Sequence, residues 1–305
     1  MGKIGLGDKI FKWVTGLFAL MILVLAILTA WALWATSGPC LQVMGWKFLT
    51  TQDWDPIKGV FGAVPFVYGT LVSAFLALLI ATPLGLGISL FLTELAPLRL
   101  REPVAFLVEI LAAIPSVVYG LWGIFLLAPF MRVHVDPLLM RFLGAPFFKG
   151  PSTGLSLFTA GVILSIMILP TITSISREVF EAIPNSYRES AKALGATNWE
   201  TIRLSVLKAS KAGVVGAVML GMGRALGETM AVTMVIGNRP EVSINLLAAS
   251  HSMASVIANE FTEANGDVYL AALSEIGLLL MAITLTLNVI AHLLVWATTR
   301  NYGKV

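Results

Sequence analysis

Charge is scarce in this sequence: only 12% of its 305 residues are Asp, Glu, Lys or Arg, against roughly 25% in soluble domains. With 57% hydrophobic residues and a mean hydropathy of +0.88, that deficit excludes a soluble globular domain and leaves an integral membrane protein. A net charge of +3 is too small to argue for nucleic acid. Cysteine is nearly absent. The single thiol, Cys40, excludes an intrachain disulfide and any multi-cysteine metal site, and reads as a small apolar filler. The three histidines, His134, His251 and His292, are scattered without zinc-ligand spacing. Neither a Gly-x-x-x-x-Gly-Lys-Ser/Thr phosphate loop nor a Gly-x-Ser-x-Gly nucleophile elbow occurs. No catalytic residue and no metal site is expected; if energy is spent, another subunit spends it.

What the chain has instead is long apolar runs. A helical crossing needs about 20 mostly apolar residues, and six stretches qualify: roughly 11–36, 66–95, 104–131, 154–176, 212–236 and 269–297. Ala30-Trp-Ala32 resembles a signal-peptide cleavage site, but the first run exceeds the roughly 7–15 residues of a signal core, so a retained anchor is expected. Six crossings put both termini on one side. Lys3, Lys9, Lys12, Arg99, Arg101, the basic residues from Arg177 to Lys211, Arg300 and Lys304 fall on that side. Lys47, Lys58, Arg132, Arg141, Lys149 and Arg239 fall on the other. The basic excess marks the terminus side as cytoplasmic. The expected division is an N-terminal anchor and external segment (1–63), a core (64–298) with a cytoplasmic loop (177–211), and a tail (299–305).

The external segment Ser37–Ala63 carries Trp46, Trp54, Asp53 and Asp55, with Trp31 and Trp34 suited to an aromatic belt just before it. A second external loop, Arg132–Thr153, is rich in Pro and Gly. A third, Gly237–Val268, predicts a short helix around Ile244–Phe261, with Glu241, Glu260, Glu263 and Asp267 on a solvated face. Within the spans, Thr82–Gly87, Pro115-Ser116 and Pro170–Ser174 read as breaks. These serve either as kinks in closely packed helices or as the lining of a path between them.

Ser186–Lys211 is a polar, basic helix–Gly–helix module between two apolar segments. Ser186 with Glu189, and Thr197 with Glu200, have the spacing of capping boxes. Gly195 suits the left-handed residue that ends the first helix. Tyr187, Ala191 and Leu194 share one face of that helix. On spacing alone the module reads first as a solvated hairpin between membrane helices, and second as a surface built to receive force from a soluble partner.

Inside the membrane the sharpest candidates are Arg224 and Glu228, each near the middle of an apolar span where a charge costs about 2.5–3.5 kcal/mol. Their i, i+4 spacing predicts one helix face and a pair. Either the pair only permits insertion, or Arg224 offers its planar fork to an oxyanion while Glu228 neutralises it in the empty state. Gly223 and Gly227 predict close approach of another helix. Glu109, Glu275, Asn288, His292, Ser116 and Tyr119 either line a path or hydrogen-bond between helices.

Three stretches carry a family resemblance. Glu189-Ser-Ala191 followed by Gly195 resembles the EAA loop of bacterial ABC-importer permeases, which sits in a groove of the ATPase subunit. The family pattern continues with Ile-x-Leu-Pro; here those positions read Ser205-Val-Leu207-Lys208, so Leu207 matches and the other two depart. Gly223-Arg-Ala-Leu-Gly-Glu-Thr-Met-Ala231 and Ile114-Pro-Ser-Val-Val-Tyr-Gly-Leu-Trp-Gly123 resemble permeases of the phosphate-specific ABC importer, the second more the PstC-type than the PstA-type subunit. The resemblance implies an all-α polytopic protein of six transmembrane helices: a type I (MetI-like) permease core plus one N-terminal helix. It implies passage of inorganic phosphate through a non-catalytic, lipid-embedded subunit of the bacterial cytoplasmic (inner) membrane, with both termini cytoplasmic. Partners would be a second, PstA-type permease, two ATPase subunits and an external phosphate-binding protein. The chain would hold no cofactor, ATP residing on the ATPases. Glu189, Ala191, Gly195 and Leu207 would couple to the ATPase; Arg224, Glu228, Thr229, Ser116 and Tyr119 would lie on the substrate path. Another oxyanion such as molybdate or sulfate, or a secondary transporter using the Arg224–Glu228 pair, remain the alternatives.

Overall fold

The computed structural model describes residues 6–300 except 145 and 151, and of Leu6 and residues 297–300 the backbone only. Lys3, Lys304 and most of the 299–305 tail lie outside the described residues. Helix dominates, and the described residues contain no strand beyond two isolated bridges, Asp55–Val60 and Gly237–Ser250. Hydrocarbon offers backbone groups no water, so each segment must satisfy its own N–H and C=O groups, and helices do so.

Five helices are long and apolar enough to cross a membrane. The first runs Leu6–Met44, the second Val64–Leu90 with a widened turn to Leu95, and the third Ser116–Phe142. The fourth runs Leu157–Glu181 and the sixth Asp267–Arg300. The fifth crossing is built from Lys211–Gly227, which meets the preceding helix Asn198–Ala209 at a 69° bend, and continues as Met230–Val235.

The third crossing differs from the expected 104–131. Pro115 cannot donate its missing N–H and drives Ile114 out of the helical region (ψ 128°), splitting the run. Residues Leu98–Ala113 become a separate helix carrying Arg99, Arg101 and Glu109, and the crossing starts at Ser116. Pro83 and Pro170, by contrast, lie within continuous helices, so two of the three expected breaks are absent. The external helix is also shorter than the predicted 244–261. It covers only Met253–Glu260, capped by Ser252, whose hydroxyl accepts from the Ser255 N–H.

The core forms where the second, fourth and fifth spans meet. Ile172, fully buried, sits between Gly85 and Gly221; a Cβ at either would lie 3.0 or 2.9 Å from its side chain. Two absent side chains thus make room for one, the small-residue packing that membrane helices use. The first span joins the rest at its C-terminal end, where Cys40 and Phe48 pack with Phe61, Phe66, Ala272 and Ile276. There Glu260 accepts from Trp54 Nε1 (2.9 Å) and the Tyr269 hydroxyl (2.6 Å). Glu260 therefore ties Trp54 to Tyr269 and is not part of the solvated face expected of it.

Candidate functional site

The packing at Ile172 places its neighbour Thr171 opposite the fifth span. Arg224 Nη1 donates to Thr171 Oγ1 at 3.3 Å. No carboxylate oxygen lies within 4 Å of the guanidinium among the described residues. The expected pair with Glu228 does not form. The helix ends at Gly227, Glu228 is extended (ψ 126°), and its Oε1 accepts from the Ala231 N–H at 3.4 Å, at the start of the next helical segment. The carboxylate is spent on the orphan N–H groups that a helix start exposes, and i, i+4 geometry is lost where the helix breaks. Thr229 lies in the break, its hydroxyl donating to the Gly227 carbonyl at 3.4 Å.

Tyr119 and Ser116 begin the third span. Tyr119 is buried in the same apolar cluster as Ala225 and Leu226, within electrostatic reach of Arg224, and its hydroxyl donates to the Leu111 carbonyl at 2.7 Å across the Pro115 break. Ser116 is half-buried at the same start. The two family-like stretches, remote in sequence, pack together at Gly120, where a Cβ would lie 3.2 Å from Ala231 Cα. Among the described residues, nothing beyond the local helix backbone comes within 4 Å of where a Cβ would stand on Gly223 or Gly227, so both face open space. Within this chain, close packing is seen instead at Gly221, where a Cβ would lie 2.9 Å from Ile172.

The other intramembrane polar groups do not join this cluster. Glu109 lines a cleft of ≈ 240 Å³ with Thr173, Arg177 and Glu181. Glu275 is buried between the first and last spans, its Oε2 without a partner among the described residues. Asn288 and His292 are exposed on the last span.

On the basic side lies a hairpin of two helices, Asn185–Ala193 and Asn198–Ala209. Gly195 takes φ +84°, and the Thr197–Glu200 box forms in both directions. Those bonds from the Thr197 N–H and hydroxyl hold the Glu200 carboxyl below its usual range. The Ser186–Glu189 box does not form, because Pro184 takes the N-cap and places Ser186 inside the helix. Tyr187, Ala191 and Leu194 line one open concavity of ≈ 780 Å³ with Ala196 and Leu204. Leu194 is 90% exposed there, an apolar side chain presented to whatever seats on it. Glu189 is exposed on the same helix, whereas Leu207 turns the other way, against Phe180, Ile183 and Val206. Leu207, partly buried, therefore helps seat the hairpin on the spans.

Sequence reading missed three elements: the Thr171 partner, the break at Glu228, and a contact from Arg188 to Glu94. Gly227 followed by Thr229, a C-terminal glycine and then a capping residue, was the local signal for the break. The two contacts span 53 and 94 residues and leave no local signal.

The sequence profile of the family described as "Binding-protein-dependent transport system inner membrane component" matches residues 81–300. The chain is 46% identical over 295 residues to the phosphate transport system permease protein PstC of Mesorhizobium japonicum, covering 95% of this chain and 90% of that one. It is 43% identical over 302 residues to the protein of that name from Haemophilus influenzae, covering 97% and 96%. Among solved structures, it is similar in fold to a chain of the MetNI methionine ABC transporter in an inward-facing conformation (TM-score 0.61, 19% identity, 81% of this chain and 99% of that one). It is also similar to a chain of a bacterial ABC transporter that imports alginate (TM-score 0.63, 14% identity, 95% and 98%).

Proposed function

The chain belongs to the family of binding-protein-dependent transport system inner membrane components, and from that premise we propose that it is the PstC-type permease through which an ATP-driven importer moves inorganic phosphate into the cytoplasm. The observation that carries the reading is Arg224: a guanidinium within a span, held by one neutral hydroxyl at 3.3 Å and by no carboxylate within 4 Å among the described residues. A cation so placed costs about 2.5–3.5 kcal/mol, and a passing oxyanion offsets that cost with charge-assisted, bidentate bonds. In this reading Glu228 shapes the break beside the arginine without quenching it. The site therefore stays electrophilic when empty, while its single strong group holds the anion loosely enough to release it.

The partners follow from the surfaces. The open Gly223/Gly227 face takes the second, PstA-type permease, so that the path runs between the two subunits. The Tyr187–Leu194 concavity takes an ATPase subunit. The outer loops receive a phosphate-binding protein. The chain itself holds no cofactor and hydrolyses nothing. The residues 64–298 form the transporting core and 1–63 the anchor, with both termini cytoplasmic. Alternation between inward- and outward-facing states is a two-state equilibrium biased by ATP on one side and the loaded binding protein on the other.

The test is labelled-phosphate uptake in cells lacking other high-affinity phosphate importers, with this chain and its partners expressed. Uptake should need the chain and ATP and ignore excess sulfate or molybdate. Arg224→Gln should lower it about tenfold or more, the worth of one charge-assisted bond, with Arg224→Lys intermediate. Competition by sulfate or molybdate would change the substrate; uptake surviving ATP depletion would refute the importer.

A further inference from the structure

The helix Asn185–Ala193 contains no buried residue; it lies on the surface of the spans rather than within them. One of its side chains departs from that pattern. Arg188 donates to Glu94 Oε1 from Nη2 (2.7 Å) and Nε (3.0 Å) and to Oε2 from Nε (3.3 Å), and also donates from Nη1 to the Ile183 carbonyl (2.7 Å) and from Nη2 to the Phe180 carbonyl (2.9 Å). Phe180 belongs to the last turn of the fourth span and Ile183 follows it, so the guanidinium adds a charged donor to carbonyls at a helix end. Glu94 lies in the widened turn that ends the second span. Three elements therefore converge on one planar group. Both side chains are sequestered, 18% and 12% exposed, unlike the surface pair Arg177–Glu181 on the fourth span.

Other contacts seat the hairpin but have a different character. Val206 and Leu207 in its second helix rest on Phe180 and Ile183, an apolar contact without direction. Ser205 donates to the Tyr187 carbonyl within the hairpin itself. Among the described residues, Arg188 is the only side chain of the first helix that hydrogen-bonds to a span. A bidentate guanidinium–carboxylate bond resists rotation as well as separation, which an apolar seat does not.

We propose that Arg188 and Glu94 are positioning residues that carry displacement of the Asn185–Ala193 helix into the second and fourth spans, and so set how much transport each ATP delivers. This rests on the reading that the hairpin docks on the ATPase. If the pair transmits motion, removing it should leave docking intact and lower the yield of transport. A merely structural contact would lower assembly and leave the yield per ATP unchanged.

The experiment uses the complete complex in liposomes, with loaded binding protein outside and ATP inside, measuring phosphate moved and ATP hydrolysed together. Glu94→Gln keeps shape and removes the charge; Arg188→Gln and the double variant complete the cycle. The expected result is ATPase retained in each purified complex and a phosphate-to-ATP ratio lowered about fivefold or more, the low end of inter-site coupling. The double variant should lose no more than either single one, because the two residues act through one bond. An unchanged ratio in Glu94→Gln overturns the proposal. So does an additive loss in the double variant, or loss of the ATPase from the complex, which would make the pair a docking element. Failure of the underlying reading looks different: the wild-type complex would show no ATP-dependent uptake, and Ala191→Cys would not cross-link to the ATPase.

Discussion

His251 makes the outer loop sensitive to acid, and the size of the effect follows from its surroundings. The imidazole is 2% exposed, stands edge-on to Phe66 with ring centroids 5.4 Å apart, and has an Nδ1 without a partner among the described residues. Its own carbonyl abuts Gly69 so closely that a Cβ there would collide with it. Burial pulls the imidazole down from 6.5 to about 4. The packed loop thus holds a neutral ring, while an opened loop takes up a proton below its ordinary value. The stability this group contributes is fully present above about pH 6.5 and is lost as pH falls toward about 4. Between those limits the slope approaches about 1.4 kcal/mol per pH unit, so at about pH 5 the loss is about 2 kcal/mol and the opened fraction rises about 30-fold. Amide hydrogen exchange of peptides covering 237–260, in lipid nanodiscs and corrected for intrinsic rates, reads that fraction directly. His251→Gln should flatten the dependence. A wild-type change below about threefold, or an equal change in His251→Gln, would refute the reasoning, since both contradict a neutral buried ring as the source.

Two further substitutions test the frame around the site. Gly195 holds φ +84° with nothing within 4 Å of where a Cβ would stand, so Gly195→Val acts through backbone strain alone, about 1–3 kcal/mol. ATP-driven uptake should fall while membrane insertion persists, and Gly195→Asn should be milder because Asn tolerates the left-handed region; equal effects of the two would show that φ is not the cause. Trp54→Phe removes the 2.9 Å bond to Glu260 but keeps an aromatic ring edge-to-face with Phe61. It should raise protease cleavage of the 50–63 segment about fivefold, the worth of roughly 1 kcal/mol; unchanged cleavage would mean that Tyr269 alone holds Glu260.

Legibility in the sequence followed the range of the interaction. Apolar length located the crossings except the third, which Pro115 shifted to Ser116–Phe142, because hydrocarbon thickness acts on each segment separately. Two Ser/Thr-x-x-Glu patterns looked alike, yet only Thr197–Glu200 became a capping box. The difference is local but subtle: a proline two residues before Ser186 occupies the cap position and advances the helix start. Arg224 was identified from its placement, whereas its partner was misassigned, since an i, i+4 argument presumes a helix that Gly227 ends. Thr171 and Glu94 were out of reach altogether. Their roles depend on how spans pack, and spacing along the chain carries no information about that.

Ile172, held between Gly85 and Gly221, also has a mechanical meaning. At 1.5 Å per residue the fourth span extends about 13 Å from it to Glu181 and about 22 Å to Leu157. A bulky side chain clamped by two backbones resists sliding but not tilting, so it serves as a fulcrum with unequal arms. The short arm ends beside Phe180, where the Arg188 guanidinium is attached. A tilt applied there would move the Leu157 end about 1.7 times as far as the Glu181 end.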